Sequence, residues 1–352
     1  MNAVVMQPVE NRSNTVRSLR NGQFLTLLKR EFWEHRGGIF WAPVVLAIIQ
    51  IVVSLVTFTT AYFKFKDSGP GDITINGVRH EFAIVNLGDV LTKLSPNDLA
   101  YGGRALDLFY YASSMWPLIV AGIVAFFYAL ASIFDERKDR SLLFWKSMPV
   151  SETQTVLSKV ITAVVVIPGV AMLVSAALVL IYATLGSLLG MLFGISPSVV
   201  WQHSHPFKVI GSVFASLPIH AIWALPAAGW LMLCSAYSRR APFLWALGVP
   251  LIVGLGVLWM ESGVSLGSSV ALSEGYFSNV VYRILPSIIP GSFITALGSV
   301  NIDPELGLMP YSLPVVGQAY AVLLKPQAWL GILAAAVMFW ATIRQRRISG
   351  VL

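Results

Sequence analysis

Long apolar blocks separated by short polar and charged stretches run the length of the chain, with little interleaving of the two. A run of about 18 or more residues with few or no charges reads as a membrane-spanning helix, whereas a half-buried soluble element alternates at the helix or strand period. Ile39–Phe63 is the first such block. It makes roughly 37 Å of helix at about 1.5 Å per residue, and Trp41 and Tyr62 near its ends suit the headgroup level. Further spans are expected at 108–134, 160–193, 210–236, 242–260 and 328–343. The third exceeds one crossing, so its end should tilt or bend into an interfacial helix, with Pro168 as a kink. Pro218 and Pro226 should break the fourth.

The polar remainder sorts by position. Residues 1–18 read as a disordered tail. Residues 19–37 read as an interfacial amphipathic helix, with Phe24, Leu25, Leu28 and Phe32 on one side and Arg30 paired to Glu34 at i,i+4. Stretches 64–107, 194–209 and 261–327 are expected as external loops, and 135–159 as a loop on the opposite, cytosolic side. Within 261–327, residues 279–300 are fairly apolar but hold Arg283, Pro286 and Pro290, which favours a re-entrant or interfacial hairpin over a seventh span. The expected fold is an all-α integral membrane protein of about six transmembrane helices.

Composition agrees. Of the 352 residues, 56% are hydrophobic and only 12% charged, about half the charge of an average soluble domain; the mean hydropathy is +0.72. The formal charge of +7 raises nucleic acid as a partner until its distribution is counted. On six spans the segments assigned to the cytosol carry about +9 and the external ones about −2, which is the positive-inside bias of a membrane protein with both termini cytosolic. The basic excess therefore reports topology, and no nucleic-acid partner is expected. Residues 1–23 lack the apolar core of a cleavable signal, so the first span is expected to direct insertion. Cys234, the one cysteine, lies in an apolar block and allows no disulfide within the chain.

Catalytic signatures are sparse. No GxxxxGK[ST] phosphate loop and no HExxH occur. Gly263-Val264-Ser265-Leu266-Gly267 matches GxSxG but lacks the strand–turn–helix setting a nucleophile elbow requires. His203 and His205 flank a serine without a third metal ligand and read as solvated loop residues. His220 lies inside the fourth span, where an ionisable group is costly; it reads as an intramembrane polar site or as a neutral imidazole bonded to a neighbouring helix. Gly186, Gly190 and Gly194 recur every four residues and read as a smooth helix-packing stripe.

The stretch after the second span is different. Asp135, Glu136, Arg137, Lys138, Asp139 and Arg140 form a dense mixed-charge cluster, and Ser141 leads into Leu142, Leu143, Phe144 and Trp145. A simple connection needs no such apolar and aromatic group beside six charges. The combination suits docking, with apolar knobs filling a partner's groove while charges fix the register.

The strings LLKREFWEHRGGIFWAP at 27–43 and DERKDRSLLFWKSMPVSETQTVLSK at 135–159 resemble membrane subunits of the ABC type-2 exporter family. That resemblance implies a type V exporter-like bundle, a permease subunit of an ATP-binding-cassette exporter in the inner membrane of a bacterium. It implies a coupling helix between spans two and three, placing Asp135–Ser141, Phe144 and Trp145 against a separate ATPase subunit. It also implies two ATPase copies, a second permease copy or paralogue, and ATP and magnesium held by the ATPase, with no cofactor and no catalysis in this chain. An intramembrane enzyme, or a scaffold that transports nothing, is the alternative reading.

Overall fold

A computed structural model describes residues 9–67, 71–75, 78–82, 88, 91, 94–139, 150–263, 272–297 and 319–348. Six helices among them are long and apolar enough to cross a membrane: Gly37–Lys64, Pro96–Lys138, Glu152–Met191, Pro197–Trp223, Pro242–Ser262 and Pro326–Ile348. Each overlaps an expected span, but the second and third begin within the stretches expected as loops 64–107 and 135–159, and the fourth begins at Pro197, so most of the stretch expected as the external loop 194–209 is helical. Apolar side chains stand exposed along α2 (Ala42–Asp67), α11 (Pro242–Gly263) and α14 (Pro326–Ile348), among them Ile48, Val52, Ile252, Leu255, Leu333 and Val337. A soluble monomer does not carry stripes of that extent.

α1 (Val9–Glu34) precedes the first span through a π-turn at Gly37–Trp41. Its backbone is helical from Val9, inside the stretch expected to be a disordered tail; extending an existing helix is far cheaper than nucleating one. The expected apolar face is also rotated. Leu27 and Glu31, four residues apart, are the buried pair, Phe24, Leu28 and Phe32 flank them, and Leu25 is exposed. Arg30 Nε does reach Glu34 at 3.2 Å.

One feature departs from an all-helical fold. β1 (Gly71–Ile75) and β2 (Val78–Phe82) pair antiparallel with Ile75 opposite Val78. The two residues between them in sequence, Asn76-Gly77, are a strong two-residue hairpin signal.

α3 (Pro96–Ala131) starts at a capping box, Ser95 with Asp98, and leads into the short α4 (Phe134–Lys138). α5 (Glu152–Ile161) and α6 (Ile167–Met191) form one long helix joined by a π-turn at Thr162–Val166. That wider turn lies immediately ahead of Pro168, where a missing N–H would interrupt the ladder. α7 (Pro197–His203), α8 (Pro206–Ala215), α9 (Leu217–Trp223) and α10 (Leu225–Tyr237) follow one another, the last three covering the stretch expected as the fourth span. Its breaks fall at Ser216 and Ala224, two residues ahead of Pro218 and Pro226 as expected.

The main core gathers small and branched side chains from α3, α5, the π-turn after it, α6 and α10, including Ala121, Ala125, Ala163, Ala171, Ala227 and Ala228. Without a hydrophobic drive in lipid, close backbone approach through small residues is what packs such helices. Gly229 of α10 lies against Ala335 and Met338 of α14 in the same manner. Two prolines add interhelical bonds. Pro117 in α3 leaves the Ser113 carbonyl without its helical donor, and Gln50 Nε2 of α2 donates to it at 3.4 Å. Pro250 frees the Ala246 carbonyl of α11, which accepts from Trp230 Nε1 of α10 at 3.0 Å. Backbone groups freed in lipid are met by neighbouring helices in this way.

Residues 272–297 form no seventh long helix. α12 (Leu272–Tyr276), a π-turn at Phe277–Val281 and α13 (Tyr282–Ile284) give way to 3-10 turns at Pro286–Ile288 and Ser292–Leu297. The chain reverses at Gly291, whose φ of +89° suits glycine. Ile288 is buried in the main core, and Ile289 lies so close to Gly122 that a side chain there would overlap it.

Candidate functional site

A charged cluster closes one end of the bundle, where α1, α4, the start of α5 and the end of α14 meet. The capping box of Ser151 with Gln154 fixes the start of α5, and Glu152 and Lys159, two turns apart, share one face. Lys159, 2% exposed, sits between two carboxylates, with Nζ 3.0 Å from Glu31 Oε1 and 3.1 Å from Glu136 Oε1. Arg346 in the last turn of α14 pairs with Glu136 Oε2 at 2.9 Å and with Glu152. Arg30 reaches Glu31 at 3.2 Å and Glu136 at 3.4 Å, and the Tyr128 hydroxyl of α3 donates to Glu31 Oε2 at 2.7 Å.

Three carboxylates thus meet three cations. Removing charges from water is costly, and dense mutual pairing with added hydrogen bonds is the condition under which such a cluster survives. Burial pushes the Glu31 carboxyl up, but Lys159, the Tyr128 hydroxyl and Arg30 together hold it below its ordinary 4.5. A lowered native pKa stabilises above the unfolded value and is lost as pH falls through the native one. The melting temperature of the purified chain in detergent is therefore expected to fall as pH drops below 4.5. In Lys159→Met the Glu31 contribution to that acid loss should shrink, with only Arg30 and the Tyr128 hydroxyl left to favour the carboxylate, which melts across a pH series check.

Next to this cluster α4 and α10 cap each other. Ser235 Oγ accepts from the N–H groups of Ile133 at 3.2 Å and Phe134 at 2.9 Å, at the start of α4. In return Arg137 Nη2 donates to the carbonyls of Ser235 at 2.5 Å and Ser238 at 2.8 Å, at the end of α10. A guanidinium is well matched to the negative end of a helix.

The charged stretch singled out in the sequence is therefore divided. Asp135, Lys138 and Asp139 are exposed, while Glu136 and Arg137 are buried and engaged within the chain, so these two are not docking contacts. An amphipathic turn explains the split: at about 100° per residue, Glu136 and Arg137 share the side facing the bundle, and Asp135 and Lys138 lie on the other. Arg140, Ser141, Phe144 and Trp145 lie outside the described residues, as do Val264, Ser265, Leu266 and Gly267 of the GxSxG string.

Other expectations change. The glycine stripe is no helix seam within the chain. Gly186 meets no neighbour, Gly190 lies under Ile195, and Gly194, with φ +72°, ends the helix. Its N–H bonds to the Met191 carbonyl at 3.2 Å and that of Ile195 to the Gly190 carbonyl at 3.0 Å, a Schellman closure. His220 is wholly buried and, among the described residues, neither ring nitrogen has a hydrogen-bond partner, so the bond to a neighbouring helix is not made. His203 Nδ1 bonds the Val199 carbonyl at 2.9 Å and His205 pairs with Asp107 at 3.1 Å, so the two rings go to separate partners. No group of three His, Cys, Asp or Glu suited to a metal occurs among the described residues.

Sequence reasoning missed Glu31, Glu152, Lys159 and Arg346 as a set, having counted them as topology charges. The available signal was the position of Glu31, Lys159 and Arg346 next to apolar segments, where an ion needs a partner. It also missed the partner of Arg283, which is buried, stacks 3.6 Å from the Trp223 ring centroid and donates to the Trp223 carbonyl at 3.0 Å.

Six apolar crossings with exposed apolar faces, closed at one end by a paired charge cluster, define a multi-pass helical membrane protein. No family model, curated protein or solved structure matches the chain.

Proposed function

We propose that the chain is the membrane-spanning subunit of an ATP-driven exporter, moved by a separate nucleotide-hydrolysing subunit that holds ATP and magnesium. On this reading it works as a pair, with a second copy or a paralogue, above two ATPases, in the cytoplasmic membrane of a bacterium, and the charged-cluster face with both chain termini is cytosolic. The excess of Lys and Arg in the segments on that face supports the orientation.

One observation carries the proposal. Asp135, Lys138 and Asp139 stand exposed on and just after a short helix whose consecutive buried residues, Glu136 and Arg137, are tied to α1, α5, α10 and α14. A push on the exposed side of α4 is delivered to four other elements at once. That is the mechanical requirement for a coupling element, and the aromatic stretch that follows it in sequence supplies the knobs for a partner's groove.

Alanines introduced together at Lys138, Arg140, Phe144 and Trp145 are expected to abolish copurification of a nucleotide-hydrolysing subunit. They should leave the melting temperature of the isolated chain unchanged. Glu136 and Arg137 are excluded from this set because their loss tests folding. A complex that survives the four substitutions sinks the proposal.

A further inference from the structure

At the end of the bundle opposite the charged cluster lies a cavity of about 510 Å³ between α2, α3, α6 and α7. Its wall is mainly apolar, with Leu55, Phe58, Leu106, Phe109 and Leu189 prominent. At its inner end the Ser54 and Tyr182 hydroxyls are spent on each other at 2.8 Å, and Phe109 stacks edge-on against Tyr182. Asp98 and His203 belong to the outer part, beside the starts and ends of helices. Leu55, Phe109 and Gly186 line the cavity and are also exposed on the outside of the bundle, so the space opens sideways on the lipid-facing surface.

Two of its lining residues are helical glycines, Gly102 of α3 and Gly186 of α6. Glycine is the least favourable residue in a helix interior after proline, and its usual recompense is close packing against a neighbour. Neither position has one: a Cβ at Gly102 or at Gly186 would meet no atom within 4 Å. Their effect is to leave room. By contrast, a Cβ at the adjacent Gly103 would overlap the His203 carbonyl, so the same helix does use a glycine for packing where α7 crosses it.

We propose that this cavity holds one acyl chain of a bilayer phospholipid, admitted from the side with its headgroup toward Asp98 and His203. The space falls within the roughly 300–1,000 Å³ of small-ligand pockets and fits a single chain better than a whole lipid. The opening faces hydrocarbon, where lipid chains are the surrounding solvent. The deep end offers no unspent hydroxyl, which suits an apolar tail, and the polar groups lie at the outer end. The inference is independent of the exporter reading.

The test uses the full chain in bilayer nanodiscs containing phosphatidylethanolamine, whose ammonium can meet Asp98, with a photoreactive diazirine in one acyl chain, and maps adducts by peptide mass spectrometry. Adducts are expected at Leu106 and Leu189 on the cavity wall, besides those at Ile252, a lipid-facing reference. Filling the space with Gly102→Leu and Gly186→Leu together should reduce the wall adducts about tenfold, a change of about 1.4 kcal/mol in occupancy, and leave Ile252 unchanged. Gly169→Leu, also in α6 and also without a neighbour, should alter neither. Wall adducts equal in filled and unfilled chains overturn the proposal. So does labelling of Ile252 without Leu106 and Leu189, the outcome if a second copy of the chain or a soluble passenger occupies the space.

Discussion

Lys159→Met is expected to destabilise the chain by about 3–5 kcal/mol, the usual consequence of removing one partner from a buried ion pair. Methionine replaces the stem in nearly the same volume, so the loss isolates the ammonium. Without it Glu31 keeps Arg30 and the Tyr128 hydroxyl, and Glu136 keeps Arg30 and Arg346, but three carboxylates face two cations. Adding Glu31→Gln restores the balance and should recover most of the loss. Melting of the two single variants and the double variant in detergent completes a cycle whose coupling energy reads the pair directly. Additive effects of the two substitutions would mean that the cluster does not act as a unit.

Arg137→Ala should have the second-largest effect. Its guanidinium serves the carbonyls of Ser235 and Ser238 from a position 4% exposed. Each buried carbonyl left unmet costs about 1–3 kcal/mol, so a loss of several kcal/mol is expected. Arg137→Lys keeps the charge but not the planar fork, and should fall between the variant and the parent chain. Hydrogen exchange separates this from general unfolding: the last turn of α10 should lose protection first. If exchange rises evenly over the bundle, Arg137 is no cap.

Much of this architecture was legible because a bilayer imposes a coarse rule. A span must be long and nearly free of charge, and six helices meet that rule. The breaks before Pro218 and Pro226 were legible for a related reason, since a proline without its N–H leaves a mark at one position. The hairpin was signalled by Asn76-Gly77 within a stretch read only as loop. Pairing was not legible. Glu31, Lys159 and Arg346 each sit beside an apolar segment, where a charge reads equally as an anchor at the headgroups or as half of a buried pair. Sequence spacing within one helix cannot choose between them, because the partners are 128 residues apart for Lys159 and Glu31. The glycine stripe failed for the opposite reason. Its period of four held in sequence, but α6 ends at Met191, so Gly194 was never on the helix face it was assigned to.

The tip of the 272–297 segment bears on how the chain is assembled. An arginine is a poor candidate for passage into lipid on its own, at about 2.5–3.5 kcal/mol near the middle of an inserting helix. Arg283 is settled against Trp223 of α9 and beside Gly331 of α14, and the turns after it fill a notch at Gly122 of α3. Those surfaces exist only after their helices are in place and the last of them, α14, has been synthesised. The segment therefore completes its seat only once α14 is present, a dependence on the last helix that hydropathy alone does not record.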